Sequence, residues 1–203
     1  MPADRLDRAF FARSPEAVAH DLIGCLLTVE IDGSCSGRIV ETEAYGDATD
    51  LASHTSVYPR ARAHLLAARP GTIYIYRSYG IHLCMNVVAH EPAGAGAVLI
   101  RAVEPLSGIE RMMERRNTRT LTSIANGPGN VAQALGVDLS HAGEDVVAGN
   151  TISVISPDAS GKVESSPRIG ITRDTERLWR FFDPSSLHLS RRRVRARVDS
   201  GPC

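Results

Sequence analysis

Between residues 25 and 103 the chain passes through one strand-like run after another with no helical pattern between them. Residues 25–31 turn at Asp32-Gly33 towards 38–45. After an irregular stretch, 72–76, 81–88 and 97–103 follow, punctuated by Pro70-Gly71 and Ser78-Tyr79-Gly80. Strands that do not alternate with helices favour an α+β fold, not a parallel α/β one. The expected architecture is a single domain over 1–190, with a mostly antiparallel, curved β-sheet and flanking helices. At 203 residues, such a globule needs no disulfide staples.

The helices are fewer. Ser14-Pro15-Glu16 reads as N-cap, first helical position and first-turn acid, with the helix running over 17–23 to a stop at Gly24. Pro105 is expected to open a second helix that reaches Asn117. Asn126-Gly127-Pro128-Gly129 precedes a short helix over 131–135, ended by Gly136. Residues 46–70 read as irregular, 156–166 as a polar loop, and 151–155 and 168–172 as late strands.

Composition removes several classes of chemistry. The four cysteines show no CxxC spacing, so neither a zinc site nor a disulfide framework is expected. Lys162 is the only lysine and lies in a Gly/Ser-containing loop, which argues against a lysine Schiff base. No signal peptide leads the chain and no apolar run approaches membrane-spanning length, so a cytoplasmic location without membrane contact is expected. Formal net charge is zero, yet the last part of the chain is basic, with Arg191-Arg192-Arg193-Val194-Arg195 near its end. The tail 191–203 reads equally well as a solvated, disordered segment and as a phosphate-attracting one.

The chemistry concentrates elsewhere. All five tyrosines, Tyr45, Tyr58, Tyr74, Tyr76 and Tyr79, fall between residues 45 and 79, a clustering that suits flat partners such as bases. For Tyr74 alone, packing on a strand face is the better reading. A period of two puts Glu41, Glu43 and Tyr45 on one face of their strand, carboxylates beside an aromatic wall. Arg101 interrupts an apolar run and requires a carboxylate partner. Asn86, beside Val87-Val88, needs partners for its amide or reads a ligand edge.

Taken together, Gly37-Arg38-Ile39-Val40-Glu41-Thr42-Glu43-Ala44-Tyr45, Ala52-Ser53-His54, Pro70-Gly71-Thr72-Ile73-Tyr74-Ile75-Tyr76, Tyr79-Gly80-Ile81-His82-Leu83-Cys84-Met85-Asn86-Val87 and Val98-Leu99-Ile100-Arg101-Ala102-Val103-Glu104-Pro105 closely resemble the alkyladenine (3-methyladenine) DNA glycosylase family. Asn126-Gly127-Pro128-Gly129 and Pro167-Arg168-Ile169-Gly170-Ile171 match as well, in the same order and spacing. The resemblance implies a monofunctional glycosylase without metal or other cofactor. It would flip an alkylated purine from duplex DNA, hydrolyse its N-glycosidic bond and leave the strand uncut, acting as a monomer. By the same resemblance, Glu43 would activate water with Arg101 positioning it. Tyr45, His54 and Tyr76 would line the base pocket and Asn86 would border it. Tyr79 would wedge into the duplex, and His54 would also reach the DNA backbone. Two other readings compete: a damage-binding module of the same fold without turnover, and a hydrolase of small nucleosides.

The chain departs from the family between His54 and Pro70. There the spacing is kept but the usual Thr-Pro-Arg-Asn…Met-Phe pattern is absent, and either Arg62 in register or Arg60 after a slip replaces the family's arginine. Asn130 stands where the family has a basic residue, and Asp183-Pro184-Ser185-Ser186 diverges from its usual ending.

Overall fold

The computed structural model describes residues 4–157 and 161–190. Asp7 caps a short helix α1 (Arg8–Phe11). In α2 (Pro15–Asp21) the Ser14 side chain accepts from the Ala17 N–H and Pro15 holds the first turn, as the sequence predicts. Strands β1 (Leu26–Glu30) and β2 (Ser34–Tyr45) form a hairpin whose turn carries positive φ at Asp32 and Gly33. Two helices follow, α3 (His54–Val57) and α4 (Pro59–Leu66). Then come β3 (Ile73–Ser78), β4 (His82–Val88) and β5 (Ala97–Ser107). Helices α5 (Ile109–Arg116) and α6 (Pro128–Leu135) precede three short strands, β6 (Ile152–Ile155), β7 (Glu164–Ser166) and β8 (Arg180–Phe182).

The strands join one curved antiparallel sheet in the order β3-β4-β5-β2-β1-β6, with β8 paired to the far half of β2 and β7 to β8. This is the α+β single-domain architecture that the strand succession predicts. One face carries the apolar core. Val18 and Ala19 of α2, Leu22 at its C-terminal cap, and Val131, Ala134 and Leu135 of α6 pack with Ile73, Ile75, Met85, Val87, Val98 and Ile100. Strand alternation then sends Tyr74, Tyr76, Cys84, Asn86, Leu99 and Arg101 to the opposite face.

Strand β2 obeys the same rule only because it changes phase. Cys35 and Ile39 belong to the core, so a strict period of two would put Glu41 and Glu43 there too. The pairing of β2 with β5 skips Val40 on one strand and Arg101 on the other. Such irregularities re-aim side chains. Beyond them Thr42 faces α2, its hydroxyl donating to the Ala19 carbonyl at 2.7 Å, while Glu41, Glu43 and Tyr45 turn away from the core.

Several expectations need correction. Pro105 does not open a helix. Strand β5 runs on to Ser107 with Pro105 opposite Gly37, where an added Cβ would lie 2.4 Å from Val103 Cγ1. The helix begins only after Gly108, at φ 69°. Residues 168–172 form no strand. Arg168 is instead pulled into a buried ion pair, and the segment runs as a loop. The stretch 46–70 is not irregular throughout, because α3 and α4 occupy much of it, and β7 takes the end of the expected 156–166 loop. The sequence reading also missed α1 and β8. The Arg-rich tail 191–203 lies outside the described residues.

Candidate active site

A cavity of about 410 Å³ opens on the sheet face opposite the core. That is within the range of small-ligand sites, roughly 300–1,000 Å³. The sheet register explains why so many candidates meet there. Tyr74 pairs with Asn86, Asn86 with Leu99, Leu99 with Glu43, and Glu43 with Arg180, giving one continuous row across five strands. Tyr45, His54, Tyr76, Tyr79, Asn86 and Arg101 all line the cavity, together with Leu99, Cys84, Pro128 and the loop residues Ile169 to Ile171.

Glu43 is placed differently. It is fully buried and sits behind Tyr45, Arg101 and Ile169 instead of lining the wall itself. Its Oε2 accepts from the Tyr45 hydroxyl at 2.9 Å and from Arg101 Nη1 at 3.1 Å, and its Oε1 accepts from the Ile169 N–H at 2.7 Å. A carboxylate offers about four acceptor positions, so roughly one is left for a further donor. Burial raises the Glu43 pKa above the ordinary carboxylate value, against the pull of Arg101 and the Ile169 N–H. Glu41 is equally buried but differs in charge environment. Burial pushes its carboxyl up, yet Arg180 and Arg101 outweigh this and hold it below its ordinary value. Two neighbouring carboxylates with pKa values driven in opposite directions are the usual arrangement for separating acid–base roles. The expected carboxylate partner of Arg101 is therefore two carboxylates.

The aromatic wall is built by mutual packing. The His54 and Tyr76 rings meet edge-on at 4.4 Å between centroids, and Tyr74 stacks against Tyr76 at 5.7 Å. Tyr74 is buried among Leu66, Val88 and Ala97, as expected for strand packing, but its hydroxyl also lies 2.8 Å from His54 Nδ1. Arg62 Nη1 approaches the same nitrogen at 3.3 Å and the Tyr74 hydroxyl at 3.2 Å. A guanidinium only donates, so Nδ1 accepts and the ring proton is assigned to Nε2. Burial, helped by Arg62, lowers the His54 pKa to about 4, so the imidazole is neutral near pH 7. Arg62 also lies over the Tyr58 and Tyr76 rings at 5.0 and 5.4 Å. That places Arg62 at the site, and no contact of this kind is seen for Arg60 among the described residues. Asn86 donates through Nδ2 to the carbonyls of Tyr74 and Cys84, at 3.1 and 3.2 Å, which leaves its amide oxygen for the cavity.

Tyr79 stands at the tip of the β3–β4 hairpin, 87% exposed. It has φ 49°, followed by Gly80 at φ 71°, the paired positive values of a primed turn. A tyrosine held in that region stores strain of order 1–3 kcal/mol and projects its ring into solvent, a combination found at functional tips. Ile81, 72% exposed two residues on, was not singled out from the sequence. Its apolar character reads as strand there, and only the turn shows it unburied.

Sequence reasoning also missed Arg168. Its guanidinium, fully buried, pairs with both oxygens of Asp50 at 2.7 and 2.8 Å and donates to the Ala44 carbonyl at 3.0 Å. It lies between the Tyr45 ring, 4.8 Å away, and the Trp179 ring, 5.3 Å away. It thus ties the loop carrying Ile169 to the strand carrying Glu43 and Tyr45. The signal available was its place in the Pro167-Arg168-Ile169-Gly170-Ile171 match, which gives the arginine no role until Asp50 is brought beside it.

The family model described as Methylpurine-DNA glycosylase (MPG) matches residues 9–186. A relative from Rhizobium johnstonii is 46% identical over 184 residues, covering 91% of this chain and 88% of its own. Relatives from Rhodopseudomonas palustris (strain BisB18) and Chlorobaculum tepidum are 44% and 40% identical, covering 87% and 92% of this chain and 86% and 91% of their own. All three are provisionally named 3-methyladenine DNA glycosylases. The chain belongs to the methylpurine-DNA glycosylase family.

Proposed function

We propose that this chain excises alkylated purines from duplex DNA by hydrolysing the N-glycosidic bond, with Glu43 as the base that activates water. The observation that carries this reading is the buried Glu43–Arg101 pair set immediately behind an aromatic cavity wide enough for one flipped base. A purine alkylated at N3 or N7 is cationic, so Tyr45 and Tyr76 attract it through their ring faces, and its charge already makes it a good leaving group. The remaining work is to deprotonate water and to stabilise an oxocarbenium-like sugar, both tasks for an ionised carboxylate. Arg101 positions that water from the cavity wall, the neutral His54 closes the cavity and approaches the DNA backbone, and the Asn86 amide borders the base edge.

Every group in this scheme comes from one chain, so we take the monomer to be the acting unit. No described helix is long and apolar enough to cross a membrane. A protein acting on chromosomal DNA belongs in the same compartment, which agrees with the cytoplasmic location expected from the sequence.

Flipping a base leaves a gap in the stack, and we assign Tyr79 to fill it. Tyr79→Gly is expected to separate function from stability. With the left-handed conformation relieved, the melting temperature stays level or rises slightly. Release of base from duplex DNA slows by about tenfold or more, the scale of one lost stacking contact of roughly 1–3 kcal/mol. Thermal melts and single-turnover kinetics on the same preparations check both parts. The overall reading is tested by comparing base release from methylated duplex DNA and from the corresponding free nucleoside. Preference for duplex supports it, and preference for nucleoside overturns it.

A further inference from the structure

Glu41 stands beside Glu43 and Arg101 with no task in the reading above, although it is fully buried and heavily bonded. Its Oε1 accepts from Arg101 Nε at 3.1 Å, Arg180 Nε at 2.7 Å and the Ser190 hydroxyl at 2.7 Å. Its Oε2 accepts from the Ser190 N–H at 2.6 Å. The guanidinium of Arg101 is in turn divided three ways, with Nε on Glu41, Nη1 on Glu43 and Nη2 on the Ser190 hydroxyl at 3.3 Å. Ser190 lies far along the chain from β2 and β5, and its contacts bring the end of the described chain onto the rear of the site.

We propose that Glu41, clamped by Arg180 and Ser190, is a positioning residue: it fixes the Arg101 guanidinium at the cavity wall and divides that cation's charge between two carboxylates. The proposal rests on the reading of Glu43 as the base. Two arginines and two glutamates balance in this cluster. Without Glu41, Arg101 and Arg180 would face Glu43 with a surplus positive charge, and Arg101 would lose the anchor that sets the plane of its fork.

The groups that face Glu43 are Glu41 and Tyr45 from its own strand, Arg101 from β5, Arg180 from β8, Tyr76 from β3, Cys84 from β4, and Arg168 with the Ile169 N–H from the following loop. Burial and Glu41 both raise the Glu43 pKa, while Arg101 lowers it. Removing the Glu41 charge therefore lowers that pKa. Glu43 then ionises at lower pH and becomes a weaker base, so the acid limb of the rate profile moves to lower pH and the plateau falls.

The test is single-turnover release of 7-methylguanine from duplex DNA, followed through the acid range in which that lesion keeps its charge, by wild type, Glu41→Gln, Glu43→Gln and Ser190→Ala, each checked for folding and DNA affinity. Glu41→Gln is expected to lower the plateau about tenfold and to move the acid limb to lower pH. A wild-type profile, or a lower plateau on an unmoved limb, overturns the proposal. Ser190→Ala removes the hydroxyl shared by Glu41 and Arg101 at a partly exposed position, and it decides the matter where Glu41→Gln does not fold. A several-fold slower plateau at unchanged DNA affinity supports the proposal, and a wild-type rate overturns it. Full activity in Glu43→Gln would instead overturn the base assignment, an outcome separate from either result at Glu41.

Discussion

Replacing Glu43 by glutamine is expected to slow base release by roughly 10²- to 10⁴-fold, the usual contribution of a positioned general base. A loss of about 10³-fold corresponds to about 4 kcal/mol of transition-state stabilisation. The side chain keeps its shape, and with its oxygen in the place of Oε2 the amide still accepts from Arg101 and Tyr45, while its NH2 meets the Ile169 N–H donor to donor, a local cost that leaves the cavity walls in place. Because burial disfavours the ionised form of Glu43, removing that charge costs the fold little. Affinity for DNA carrying an uncleavable lesion analogue should therefore stay near that of the wild type while turnover disappears. A structural defect would lower both together. The same raised pKa sets the sign of the pH dependence. As the proposed base Glu43 acts in its ionised form, so the rate is expected to rise with pH through a midpoint above the ordinary glutamate value and to level off beyond it.

The second large effect concerns the fold. Asp50→Asn leaves the fully buried Arg168 guanidinium without its anion, and breaking a buried pair in this way typically costs about 3–5 kcal/mol. For a chain of this size the melting temperature should fall by roughly 10 °C. The penalty has a pH signature. Burial pushes the Asp50 carboxyl up, but its hydrogen bonds from Arg168 and its N–H donors outweigh this and lower its pKa. A depressed pKa contributes stability above the unfolded-state value, and that stability is lost as pH falls through the folded-state value. The gap between wild type and Asp50→Asn is therefore widest near neutrality and narrows in acid. Thermal melts across pH measure it, and a gap independent of pH would show that the ion pair is not its source.

How far the sequence discloses these features depends on how local each one is. The Ser14-Pro15 helix start, the hairpin turns and the strand succession are set by neighbours in the chain, and each is found where local chemistry puts it. Arg101 was legible because a charge inside an apolar strand demands a partner, and the partners proved to be the carboxylates singled out for other reasons. Pro105 misled because its fitness to open a helix is a local preference, whereas its place opposite Gly37 in β5 is decided by a strand more than sixty residues away. The phase change at Val40 carries no mark in its own sequence. It becomes visible only when β5 makes the compensating skip at Arg101. The apolar residues of helix α4 are two alanines and the adjacent Leu65 and Leu66, of which only Leu66 is buried, so no helical period stands out. The Arg168–Asp50 pair and the Ser190 clamp join positions more than a hundred residues apart, beyond any pattern read along the chain.

The altered segment between His54 and Pro70 now has a physical role in the site. Although it departs from the family's wording, it delivers Tyr58 and Arg62 to the aromatic wall and keeps His54 neutral. Arg62→Gln removes the positive charge that helps to lower the His54 pKa, so that pKa should rise from about 4 towards its ordinary value. Following the ring protons by NMR checks this, and an unmoved titration would assign the shift to burial alone.

The most direct measurement of the central claim is a product balance on duplex DNA carrying a single 7-methylguanine. The protein acting as a glycosylase should release one free methylated base for each abasic site formed, with the strand intact until it is treated with alkali. Binding of the lesion duplex by well-folded protein with no free base released would contradict hydrolysis and leave a damage-recognition module in its place.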